Sequence, residues 1–192
     1  MRIKSFFFFI LLFVTFLNAQ ENTNLYSGGM LILQPGYTLA KNNHQEIQTT
    51  GLGVGGILRF YVYENLTLGI TGGNQKTKYL STGSHNSFIS LGYGGPFVGY
   101  TKKGDFFRFC ASIGFAKGRI KNLHIESQQD ETLNEAYFYN YKANVIFPIL
   151  SLDYLMTKKI SLTSQFIFLS AKYNQNDLYF CPVFQVGILF NR

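Results

Sequence analysis

Beyond its opening segment, the 192-residue chain has no long apolar run. The densest, Val145–Leu150, is six residues long and contains Pro148, far short of the roughly 18 apolar residues that a membrane-spanning helix takes. Cysteine is scarce: Cys110 and Cys181 are the only two, and neither lies near the N terminus, which argues against a lipid-anchored lipoprotein. Acidic residues are few, 10 against 17 lysines and arginines, for a formal net charge of +7. A basic chain invites a nucleic-acid partner, but the first residues exclude one by compartment. Met1-Arg2-Ile3-Lys4 is a basic n-region, Phe6–Leu17 an apolar h-region and Leu17-Asn18-Ala19 a cleavage site, the three parts of a secretory signal peptide. Residues 1–19 are expected to be removed, leaving residues 20–192 as one domain. Without Arg2 and Lys4, 15 basic residues face 10 acidic ones, a net charge of +5.

What the chain does have is a rhythm. Hydrophobic residues make up 46% and aromatics 17% of the sequence, and they fall on alternate positions, the period of a β-strand. Eight such stretches are read: Ser27–Lys41, Thr49–Tyr63, Leu66–Tyr79, Ser87–Thr101, Phe106–Arg119, Tyr137–Tyr154, Ile160–Lys172 and Tyr179–Phe190. Their connectors alternate between long and short. The short ones are Glu64-Asn65, Lys102-Lys103-Gly104-Asp105 and Thr157-Lys158-Lys159, and the longest is the polar segment Asn122–Ala136. Two kinds of connector mean two different surroundings at the two sheet ends. An exported chain with this pattern and no spanning helix is expected to be all-β, an eight-stranded antiparallel up-and-down transmembrane barrel, because only closure satisfies every backbone group in lipid.

Each strand should then present one face to lipid. In the last strand Phe180, Pro182, Phe184, Val186, Ile188 and Phe190 share the lipid face, and in the fifth Phe107, Phe109, Ala111, Ile113 and Phe115 do. The alternation changes phase near Gly94-Gly95-Pro96 and near Pro148, where β-bulges are expected. Ile89, Leu91, Tyr93, Val145 and Phe147 are accordingly assigned to the lipid face. Tyr63, Tyr79, Tyr100, Tyr137, Tyr139, Tyr154, Tyr173 and Tyr179 lie near strand ends and are expected to form two aromatic girdles.

On strand count, pattern and the aromatic-bearing closing strand Phe184-Gln185-Val186-Gly187-Ile188-Leu189-Phe190, the chain resembles the small eight-stranded outer-membrane barrels, such as the transmembrane domain of outer membrane protein A, outer membrane protein X and the opacity-type adhesins. The resemblance implies residence in the cell outer membrane and contact with its lipid and glycolipid. It also implies that Phe190 serves as the signal read by the barrel-assembly machinery.

Candidate sites follow from the inward and outward registers. The inward set is Gln34, Thr38, Arg59, Tyr61, Thr67, Thr71, Arg108, Ser112, Asn140, Lys142, Asn144, Ser151, Asp153, Thr163 and Gln165. Arg59, Arg108 and Asp153 sit at similar depth near one end, where unpaired charge is costly, and are expected to form an ion network that fixes register. Eight strands leave an interior that side chains fill, which disfavours a pore. His44, His85 and His124 occupy three outer connectors, with no spacing that supports a metal site, and no cofactor is called for. His85 and Ser87 share one strand face, a faint likeness to the His-x-Ser pair of lipid A deacylases, though no supporting carboxylate can be placed. Cys110 and Cys181 differ in depth and are expected as free inward thiols. Cations gather where upward strands end: Lys41, Lys76, Lys78, Lys117, Arg119, Lys121 and Lys172. Of these, Lys76, Lys78, Lys117, Arg119 and Lys121 are expected to contact glycolipid phosphates. The expected function is non-enzymatic: membrane stabilisation, or adhesin-like interaction with an extracellular ligand through the loops. A deacylase-like hydrolase and a narrow porin-like channel are the alternatives.

Overall fold

A computed structural model describes residues 25–63, 65–129, 132–173 and 177–192. The segment read as a signal peptide lies outside the described residues, as do Glu64 and the side chain of Tyr63. Eight strands follow in order: β1 (Tyr26–Lys41), β2 (Glu46–Tyr63), β3 (Leu66–Tyr79), β4 (Ser87–Lys103), β5 (Phe107–Gln129), β6 (Thr132–Leu155), β7 (Ile160–Tyr173) and β8 (Asp177–Asn191). Each pairs antiparallel with the next, and β1 pairs with β8 to close the barrel. Phe190 stands opposite Gly28 across the seam and points outward.

The outer connectors differ from expectation. Apart from residues 130–131, which lie outside the described residues, Asn122–Ala136 is a continuation of β5 and β6, which run to 23 and 24 residues. It pairs with itself because its apolar residues still alternate with polar ones, and bulges at Ile125/Ser127 and Ser127/Gln128 adjust the register. The first connector shrinks to Asn42–Gln45, closed by the Asn42 side chain, whose Oδ1 accepts from the backbone N–H groups of His44 and Gln45 at 2.9 and 2.6 Å. The length expected in loops is thus carried by a hairpin that projects beyond its neighbours.

Neither expected bulge forms. The β3–β4 register is unbroken from Leu66 opposite Tyr100 to Tyr79 opposite Ser87, and Ile113 stands opposite Pro148 in a continuous β5–β6 ladder. What the prolines remove is pairing, not register: beside Pro96 the β4–β5 ladder skips from Gly94/Lys117 to Phe97/Gly114, and beside Pro148 the β6–β7 ladder skips from Ile146/Ser170 to Ile149/Ile167, with no residue inserted. A missing N–H donor accounts for a skipped rung. Consequently Ile89, Leu91, Tyr93, Val145 and Phe147 face the lumen and are buried, whereas Asn140, Lys142 and Asn144 face outward. Besides the β5–β6 bulges, the register slips in β1 between Leu31 and Gln34, where Ile32 and Leu33 are both exposed, and between Tyr61 and Tyr63 in the β2–β3 ladder.

The lumen is therefore filled in two materials. A polar layer lies at the end bearing the chain termini, and above it Phe97, Phe147, Ile149, Ile167, Leu169 and Val183 form an apolar plug. Gly69 and Gly114 make room for it, since a Cβ on either would collide with the Phe97 or Phe147 ring. The outer surface carries Phe60, Ile70, Val98, Phe109, Ile113, Phe115, Leu150 and Phe166, all well exposed, a belt suited to lipid rather than water. Of the tyrosines assigned to girdles, Tyr100 and Tyr154 face outward, but Tyr79, Tyr173 and Tyr179 are buried. They lie on the inward register, and Tyr137 and Tyr139 line the mouth.

Candidate functional site

In the polar layer, one guanidinium nitrogen of Arg59 donates to both oxygens of Asp153, at 3.0 and 2.8 Å, and the other donates to Ser151 Oγ and Gln165 Oε1 at 3.0 and 2.9 Å. Thr163 donates to Asp153 at 2.7 Å. Arg108 lies further out, with Nε 3.9 Å from Asp153, its guanidinium 4.7 Å above the Tyr61 ring, and a hydrogen bond to the Tyr61 hydroxyl. The three charges come together, with Arg59 as the principal partner of Asp153. Above them a chain of amides crosses the lumen: Gln165 donates to Gln185, Gln185 to Gln34 at 2.7 Å, and Gln34 to Gln75 at 3.1 Å. Every group here ties one wall strand to another. Cys110 and Cys181 are both free and buried.

At the opposite end, the short first connector reaches over the mouth. The His44 and His124 rings stack at 4.0 Å with 10° between planes, and His44 Nε2 lies 3.0 Å from the Tyr139 hydroxyl. Tyr137, Tyr139 and Tyr141 continue as a ladder, with centroids 6.4 and 6.0 Å apart. Burial and the neighbouring His44 hold His124 below the ordinary imidazole pKa, while Glu126 pulls weakly the other way. A hydrogen bond to Glu135 pushes the Tyr137 hydroxyl up to about 12. His85 does not join the pair. Two of the three histidines meet as a stack, and among the described residues no group of three or more metal-ligating side chains forms.

Ser87 is fully buried, and its hydroxyl is committed to structure: it donates to Ser81 Oγ at 2.8 Å and accepts from the Ile125 N–H at 3.0 Å. That places it as a tie between the β3–β4 connector and β5. Nothing in this arrangement directs it at His85.

The outward face of the same end carries the cations. On β5 the outward residues are apolar from Phe107 to Phe115, and Lys117, Arg119 and Lys121 follow. Nine residues match the 9–11 that a tilted strand needs to cross a bilayer, so the cations begin where the apolar span ends. Pairing gathers others to the same level: Lys117 stands opposite Asn144, which stands opposite Lys172, and Arg119 stands opposite Lys142. Between these strands and β3, β4 presents only Ser90, Gly92 and Gly94, and around Gly92 and Gly94 the space is open. The result is a basin of about 720 Å³ lined by Lys117, Arg119, Lys121, Lys142 and Lys172 together with Asn74, and, among the described residues, by no carboxylate. Lys76 flanks it with Nζ 4.2 Å over the Phe88 ring, and Lys78 lies beyond, opposite Phe88. On the far side of the barrel Lys41 instead stands opposite Glu46. The cations are thus a cluster over β3–β7, not an even ring. Lys142 is the member that the inward assignment of β6 missed.

No protein-family model matches the chain, and no curated protein matches it in sequence. Its fold is shared with solved barrels at very low identity. Neisserial surface protein A superposes with a TM-score of 0.59 at 9% identity, covering 90% of this chain and 100% of that one. The attachment invasion locus protein Ail of Yersinia pestis, in complex with the heparin analogue sucrose octasulfate, gives 0.55 at 9%, covering 88% and 100%. The outer membrane protein OprG from Pseudomonas aeruginosa gives 0.53 at 8%, covering 90% and 97%.

Proposed function

We propose that this transmembrane barrel resides in the outer membrane, has no enzymatic role, and holds phosphorylated glycolipid of the outer leaflet in its cationic basin while presenting the β5–β6 hairpin to the surroundings. The observation that carries the proposal is Arg119 directly across from Lys142, with Lys117 and Lys172 one rung away and, among the described residues lining the basin, no carboxylate. Like charges facing each other across a ladder destabilise a sheet, so the cluster is favourable only with an anion over it. Cations at an anionic membrane surface contribute on the order of 1 kcal/mol each. Snorkelling keeps a single charged head in water and gives no reason for two cations to share a rung, as Arg119 and Lys142 do. The barrel of Ail was crystallised with a polysulfated sugar, and a phosphate-bearing sugar presents the same chemistry to a basic surface.

Two observations support a non-catalytic, closed barrel. The Ser87 hydroxyl is occupied by Ser81 and Ile125, and the apolar plug interrupts the lumen. Replacing Lys117, Arg119, Lys121 and Lys142 by glutamine should weaken glycolipid association in a salt-dependent way and leave glycolipid acylation unchanged. Ser87→Ala should change neither. A change in acylation on expressing the wild type that Ser87→Ala abolishes would replace this function with hydrolysis.

A further inference from the structure

Below the basin, on the lipid-facing surface, the barrel wall is bare. Gly56 on β2 stands opposite Gly72 on β3, which stands opposite Gly94 on β4, which stands opposite Lys117 on β5. The recess these glycines floor has a volume of about 540 Å³ and is edged by Leu58, Ile70 and Pro96. Three strands at roughly 4.8 Å spacing make it about 10 Å from first glycine to last. It adjoins the basin along β4, where Gly94 belongs to the recess and Gly92, two residues on along the same face, to the basin.

An apolar recess inside the hydrocarbon and a cationic basin at its outer boundary, sharing one wall, match an amphiphile with an anionic head. We propose that the two form one site for a single phosphorylated glycolipid, its phosphate among Lys117, Arg119 and Lys142 and one acyl chain laid across Gly56, Gly72 and Gly94. The inference rests on the glycolipid function proposed above and sharpens it from a diffuse electrostatic association to a stoichiometric site. Charge complementarity selects the occupant. A second copy of the barrel would bring a like-charged basin against this one, whereas the recess adjoins the basin along β4, so a single amphiphile can reach both.

The two halves can be removed separately. Gly94→Leu fills the recess without removing a charge, Lys117 opposite it being kept, and the open space around Gly94 leaves room for the new side chain. Gly94→Ala adds one methyl group and guards against a folding defect, with gel mobility of unheated samples as the check on both. Native mass spectrometry of the full chain with bis-phosphorylated lipid A should show one lipid retained by the wild type. Affinity should fall about tenfold in Gly94→Leu, the scale of losing contact for about two methylene groups, and less in Gly94→Ala. Retention by folded Gly94→Leu equal to wild type, with Arg119→Gln/Lys142→Gln defective, overturns the recess and leaves the basin standing. Unchanged retention in Arg119→Gln/Lys142→Gln overturns the basin and the recess with it. Equal retention of phosphatidylglycerol, or a wild-type dimer that Gly94→Leu converts to monomer, also overturns the glycolipid site.

Discussion

Arg59 on β2 and Asp153 on β6, 94 residues apart in sequence, form a fully buried pair across the lumen in which one guanidinium nitrogen serves both carboxylate oxygens at 3.0 and 2.8 Å. Asp153 accepts a further hydrogen bond from Thr163, and Arg59 reaches Ser151 and Gln165. Five hydrogen bonds that join β2, β6 and β7 make the pair a staple on strand register. Asp153→Ala strands Arg59 in the lumen and should cost about 3–5 kcal/mol, the scale for breaking a buried pair. Urea unfolding in micelles reads this directly, and a cost under about 1 kcal/mol would remove the network's structural role.

The apolar plug should keep the lumen from conducting. Planar-bilayer recordings are expected to show no large, steady single-channel current. Phe147→Ala should open a cavity against Tyr93, whose ring centroid lies 6.0 Å away, and cost about 3–5 kcal/mol. Steady currents in the wild type would contradict a filled lumen.

The stacked histidines make the mouth sensitive to acid. His124 is held below its ordinary value of 6.5 by burial and by His44, so its neutral form is the one the folded mouth favours. The closed arrangement is therefore fully stable above about pH 6.5 and weakens as pH falls through the depressed value. Glu126 opposes the shift, while Glu135 is engaged by the Tyr137 hydroxyl at 2.6 Å. An NMR titration should place His124 below 6.5 and show Asn42–Gln45 loosening over the same range. A His124 midpoint at or above 6.5 would contradict this.

Topology is tested by labelling intact cells. Cysteine at Asn86, in the connector at the mouth end, should react with an impermeant maleimide, whereas cysteine at Lys158, at the terminus-bearing end, should not. The reverse pattern would invert the barrel.

Alternation made the barrel legible, and strongly patterned segments such as Phe107–Phe115 and Phe180–Phe190 fall on the faces expected of them. The pattern was unreadable where both faces are apolar. Around Pro96 and Pro148 the lumen itself is hydrophobic, so Ile89, Leu91, Val145 and Phe147 mimic a lipid face and suggest a slip of one residue. Carrying the β6 alternation unbroken through Pro148 from Leu150 and Leu152 would have turned Lys142 outward and completed the basin. The β1 bulge left no signal, because Ile32 and Leu33 are both apolar and both outward. The His44–His124 stack depends on a four-residue connector folding over a long hairpin, and no local spacing encodes that.

The most direct test of the glycolipid site is Lys142→Gln, because an unsatisfied basic cluster makes two opposite demands on one substitution. Removing the charge opposite Arg119 should stabilise the lipid-free barrel by about 0.2–1 kcal/mol, the scale for relieving a like-charge cross-strand pair, and should weaken binding of bis-phosphorylated lipid A at low salt. Measured side by side by unfolding and by binding titration, a gain in stability with a loss of affinity is the predicted result. Unchanged affinity, with or without a change in stability, would contradict it.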